Sequence, residues 1–87
     1  MIVIDFHKNF RKQAEKLKPV QKERLKTALR LFQEKPNDPS LYNHPLTGQW
    51  AGHHSVAFGG DWRAHYKVID QNTVLFVAVG THNQLYK

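Results

Sequence analysis

Residues 50–86 read WAGHHSVAFGGDWRAHYKVIDQNTVLFVAVGTHNQLY, and the fold is decided here. His54, Val56 and Phe58 fall on one side of an extended chain, and His53, Ser55 and Ala57 on the other, because strand side chains alternate. Gly59-Gly60 reads as a hairpin turn. Trp62, Ala64, Tyr66 and Val68 then alternate with Arg63, His65, Lys67 and Ile69, giving one apolar and one largely polar face. Asp70-Gln71-Asn72 marks a second turn. Residues 73–79 are nearly all apolar, which predicts a central strand covered on both sides. Gly80 is expected to end it, leaving His82–Tyr86 as a short tail. Strands joined by such tight turns are antiparallel.

Upstream, Asn37 to Gly48 is a loop by composition, with Pro39, Pro45, Asn, Asp, Ser and Gly, and it carries His44-Pro45-Leu46. Before it, Leu25, Ala28, Leu29 and Phe32 recur at helical spacing; Pro19 suits the first helical position and Pro36 stops the pattern. An earlier helix places Phe6, Phe10, Ala14 and Leu17 on one face, with Lys8, Arg11, Lys12 and Lys16 mostly off it. Asp5 is expected to cap that helix, and Met1–Ile4 to form a buried strand. So short a break between two helices predicts a helical hairpin. The expectation is a single α+β domain over residues 1–87, ordered β-α-α-β-β-β, with a mainly antiparallel sheet and the helical hairpin on one face. The other face is left open and carries His53, Arg63 and His65, with His82 at the strand exit.

Eighty-seven residues form one modest core, burying about 60–65% of the unfolded surface. With no cysteine, neither disulfides nor zinc-thiolate sites hold the chain together. The apolar run at the start is broken by Asp5, too short for a signal peptide and far too short to span a membrane; a cytoplasmic protein is expected. The net charge is +6, unevenly spread. Residues 5–35 hold ten of the thirteen Lys and Arg against four acids, whereas residues 36–87 hold three of each. Such asymmetry suits a polyanion or an acidic protein partner, although lysines also solubilise exposed helix faces.

Five of the six histidines fall between residues 44 and 82. If the ligand is RNA, that concentration has a use. Attack of a ribose 2′-hydroxyl on the adjacent phosphate needs a base, a cation for the developing charge and an acid for the leaving oxygen, and no metal or cofactor. Histidine suits both proton transfers, and arginine suits the phosphate. Trp and Tyr can stack splayed bases. His53-His54 is not a metal signature, because adjacent strand residues point opposite ways. Trp50 and Trp62 suit core or loop anchors better than base platforms.

The segments HPLTGQWAGHHSVAFGGDWRAHYKV and VLFVAVGTHNQLY resemble the RelE/ParE superfamily of bacterial type II toxins, above all its YafQ-type mRNA interferases. The resemblance is close from His44 to Tyr86, and the element order extends it over the rest. It implies a RelE-like fold, ribosome-dependent and metal-independent cutting of mRNA in the A site, a cytoplasmic location and a cognate acidic antitoxin. Carried over by position, His44 matches a loop histidine proposed as base, Asp61 and Trp62 an Asp-Trp pair, His82 the proposed acid, and Tyr86 a terminal aromatic. Arg63 falls where RelE members with a Gly-Tyr-Arg hairpin carry a phosphate-binding arginine. His44, Asp61, Arg63, His82 and Tyr86 are thus the expected catalytic set, and His53, Trp62, His65 and Lys67 the expected RNA contacts. Two positions depart: Ala57 and Ala78 stand where the family has a histidine and an arginine. Arg63 and His53 are expected to compensate. The same residues also fit a non-catalytic ParE-like toxin that binds gyrase, or an RNA- or partner-binding protein of the same fold.

Overall fold

The computed structural model describes residues 1–86. Strand β1 (Val3–Phe6) leads into helix α1 (Lys8–Glu15) and then α2 (Pro19–Glu34). A two-residue strand β2 (His44–Pro45) precedes β3 (His54–Ala57), β4 (Trp62–Val68), β5 (Thr73–Thr81) and a one-turn helix α3 (His82–Leu85). The sheet order is β1-β5-β4-β3-β2. Only β1–β5 is parallel; the other neighbours are antiparallel. The α+β class and the helix-covered sheet are as expected. The sheet has five strands where the order predicted four, because His44-Pro45 pairs with Ser55 and His54.

Pro19 opens α2 as expected, and Leu25, Ala28 and Phe32 are its buried positions. The helix α1 begins later than predicted. Asp5 stays in β1, paired with Leu75, and the cap is His7, whose Nδ1 accepts from the Asn9 amide at 3.0 Å. The strand β1 is a half-buried edge, with Val3 and Met1 exposed, rather than a buried strand.

Phe10, Leu17, Leu25, Ala28 and Phe32 from the helices meet Val56, Ala64, Tyr66, Val74, Phe76 and Val79 from the sheet. Phe32 sets its edge against Tyr66 (5.0 Å) and Phe76 (5.6 Å), and Phe10 against Phe76 (5.7 Å), the arrangement that ring quadrupoles favour. A β-bulge keeps this face apolar. His65 pairs with Ala78, but Tyr66 pairs with Phe76, so Val77 is the extra residue. Without that shift, one of the two segments of β5 would turn its apolar set away from the helices.

The strand β5 does not stop at Gly80; it runs through Thr81. The tail is helical because Thr81 and Gln84 form a capping box: the Thr81 hydroxyl accepts from the Gln84 amide, and Gln84 Oε1 from the Thr81 amide at 2.9 Å. Glycine at position 80 makes room for this, since a Cβ there would lie 2.8 Å from Gln84 Oε1. Among the described residues no helix is long and apolar enough to cross a membrane.

Candidate active site

Away from the helices, the register sets one row across four strands. His44 lies opposite Ser55, Ser55 opposite His65, and His65 opposite Ala78. Two small neighbours leave room for the His65 imidazole, and two aromatic rings close over it. Trp50 meets it edge-on at 4.5 Å and Tyr86 at 5.6 Å. The expected open face is therefore covered at this corner, and His65 is 0% exposed. Burial alone rules out direct contact between this side chain and RNA, so the expected contact is corrected to a place beneath the site. The cover is tied down by the Trp50 indole N–H, which donates to the Leu85 carbonyl (2.9 Å), and by Gln49 Nε2, which donates to the same oxygen.

Around His65 stand the other basic groups singled out from the sequence. Burial, and after it the charges of His53, His44, His82 and Arg63, push its pKa down to about 4. At neutral pH it is a neutral imidazole. Its own nitrogens and the Ser55 hydroxyl, all buried, have no hydrogen-bond partner among the described residues.

His82 is exposed at the start of α3 and stacks on Tyr86 at 4.5 Å. Its amide donates to the Asp61 carbonyl (2.8 Å), which ties α3 to the β3–β4 turn and so to Arg63. Asp61 thus contributes its backbone here, while its side chain is exposed. The Arg63 guanidinium donates to the carbonyls of Gly60 (2.9 Å) and Trp62 (2.8 Å), half-buried beside the turn. His53 lies edge-on to Trp50 at 5.3 Å. Ala57 pairs with Arg63 and Ala78 with His65, so the two alanines sit directly opposite these basic residues. Lys67 shares the face but is exposed at its far end, opposite Leu75. Trp62, the other expected RNA contact, lies half-buried on the helix side of the sheet. It packs against Phe58 (6.0 Å) and the helix-side core, since its neighbour Arg63 takes the other face.

His44 is held in place rather than free in a loop. Its Nδ1 lies 2.8 Å from the Tyr42 carbonyl. A carbonyl only accepts, so Nδ1 carries the proton and Nε2 of the neutral ring keeps its lone pair, as a general base requires. Tyr42 itself is left-handed, at φ 45° and ψ 47°. That conformation costs a side-chain-bearing residue about 1–2 kcal/mol.

No group of three or more His, Cys, Asp or Glu among the described residues is placed to hold a metal ion. The capping box was readable as Thr81-His82-Asn83-Gln84, and the sequence reading missed it. Tyr42, Trp50 and Ser55 carried no comparable signal.

The family model for YafQ, described as a bacterial toxin of type II toxin-antitoxin systems, matches residues 2–87. The chain belongs to the YafQ family of toxins. YafQ of E. coli strain BL21(DE3) has the same fold, with 23% identity, a TM-score of 0.79 and full coverage of both chains. The E. coli DinJ-YafQ toxin-antitoxin complex matches at 25% identity and a TM-score of 0.76, covering 99% of this chain and 98% of the other. A metal-bound toxin from Helicobacter pylori matches at 26% identity and a TM-score of 0.77, covering 98% and 99%. Curated proteins returned no match. In this YafQ-family toxin Arg63 faces Ala57, and His65 faces Ala78, across the sheet.

Proposed function

We propose that this toxin is a ribosome-dependent mRNA endonuclease that inhibits translation. It cleaves by 2′-hydroxyl attack on the adjacent phosphate, a reaction whose chemistry needs no metal or cofactor. The observation that carries the reading is that His44 shares a cross-strand row with the buried His65, while Trp50 and Tyr86, the rings closing over His65, also meet His53 and His82. In this reading His44 takes the 2′-hydroxyl proton through Nε2. Arg63 neutralises the phosphate in place of the arginine lost at Ala78. His82 protonates the leaving oxygen, with Tyr86 stacked beside it. Asp61 holds the turn to α3, His53 and Lys67 contact the RNA, and His65 and Trp62 support the site from below. Each proton-transfer group is worth roughly a hundredfold or more.

A cognate antitoxin is the proposed partner, as DinJ is YafQ's in the E. coli complex. The basic helices suit an acidic one. Between α1 and α2 runs a groove of about 390 Å³ floored by Phe10, Ala14 and Leu25 and rimmed by Arg11, Lys22 and Lys26 against one acid, Glu15. An acidic amphipathic segment complements both its floor and its rim. The toxin then acts in the cytoplasm, where ribosomes translate.

A second reading, a non-catalytic ParE-like toxin, is favoured by one observation: Ala57 and Ala78 contribute no functional group to this face. Brief induction followed by 5′-end mapping of mRNA separates the two. The nuclease gives discrete, in-frame cuts that disappear with His82→Ala. Growth arrest with intact mRNA refutes it in favour of gyrase binding.

A further inference from the structure

We propose that Tyr42 is a nucleobase-stacking platform beside the candidate base His44, an inference that rests on the nuclease reading above. Among the described residues Tyr42 is the one non-glycine residue with positive φ. Its neighbours impose that conformation. Leu41 is buried at 1% exposure, anchoring the chain on one side. On the other, Asn43 donates to the Pro36 carbonyl and accepts from the Tyr66 hydroxyl, both at 2.9 Å. The backbone between these anchors turns left-handed and throws the side chain outward.

Glycine or asparagine is the usual occupant of such a position at the end of a helical turn. Tyrosine does not return the strain as burial, because it is 62% exposed. The ring instead lies over His44, at a centroid distance of 4.4 Å and 33° between planes. One residue thus does two things. Its carbonyl fixes the His44 tautomer with Nε2 free, and its ring presents an open aromatic surface next to that nitrogen. A 2′-hydroxyl at Nε2 belongs to a nucleotide whose base must go somewhere nearby. An exposed aromatic face takes any base, since stacking reads no hydrogen-bonding edge. The ligand is therefore a splayed, single-stranded base next to the scissile phosphate.

The test compares wild type, Tyr42→Phe and Tyr42→Gly on translating ribosomes carrying an mRNA with a mapped cut. Glycine relaxes the strain and keeps the carbonyl that orients His44, so only the ring is lost. The expected result is that Tyr42→Phe behaves as wild type. Tyr42→Gly should need an about 10-fold higher ribosome concentration for half-maximal rate while the saturating rate holds. An unchanged half-saturation in Tyr42→Gly overturns the platform, whether the saturating rate is kept or falls. Wild-type toxin that leaves mRNA intact overturns the nuclease reading itself, and the platform with it.

Discussion

Neither ring nitrogen of His65 has a partner among the described residues, and none of its surface reaches water. A buried, unpaired N–H costs about 1–3 kcal/mol, whereas an apolar side chain of similar size leaves nothing unsatisfied. His65→Leu is therefore expected to be neutral or to stabilise the fold by about 1 kcal/mol in urea denaturation at pH 7. A clear loss of stability would mean that the imidazole has a partner. The same residue sets a pH dependence. Its folded pKa of about 4 lies below the ordinary 6.5, so between those values the unfolded chain binds a proton that the native chain does not. Stability is full above about pH 6.5 and is lost as pH falls through 4, by roughly 3 kcal/mol. Asp38 and Asp70, held low by hydrogen bonds from Ser40 and Asn72, titrate below this window. Denaturation curves from pH 7 to pH 4.5 should show the slope in wild type and largely lose it in His65→Leu. From alternation, His65 was legible as a residue of the polar face of β4. Its burial was not, because Trp50 and Tyr86 supply the cover from distant parts of the chain.

Helix α3 is a single turn, too short to persist alone. It holds because Thr81 and Gln84 cap it and because Trp50 and Gln49 grip the Leu85 carbonyl. Thr81→Ala should cost about 1 kcal/mol, the usual value of an N-cap. Gly80→Ala should cost a similar amount by displacing Gln84 from the Thr81 amide. Under the proposed mechanism both lower cleavage, since His82 opens this helix; hydrogen exchange at residues 82–86 would show the fraying directly. A variant with faster exchange and full activity would remove His82 from the chemistry. Among the elements, α2 was legible almost to the residue, because a proline starts it and its apolar positions repeat with helical period. The strand β2 was not legible: two residues carry no period, and only the β3 edge makes them a strand.

Across the whole molecule, the aromatic contacts of Phe32 with Tyr66 and Phe76 join helix to sheet. Phe32 is 1% exposed, and Phe32→Ala should cost about 3–5 kcal/mol, a large part of what a domain this size has. Thermal unfolding should show a much lower midpoint; a small shift would mean that the core collapses around the gap. Charge also acts at this scale. Under the proposed function, ribosome binding through about six phosphate contacts on the basic helices should weaken on the order of 10³-fold between 50 and 200 mM salt. A flat salt response would assign the lysines to solubility alone. The α+β class, the antiparallel hairpins, the helix-covered face and the basic asymmetry were determined by the sequence itself, because period, turn residues and charge are local properties. Only the tertiary structure decided that His65 is buried, that Trp62 faces the helices and that Tyr42 is left-handed over His44. Register, a bulge and anchors far apart in the chain set those outcomes, and none of them leaves a local pattern.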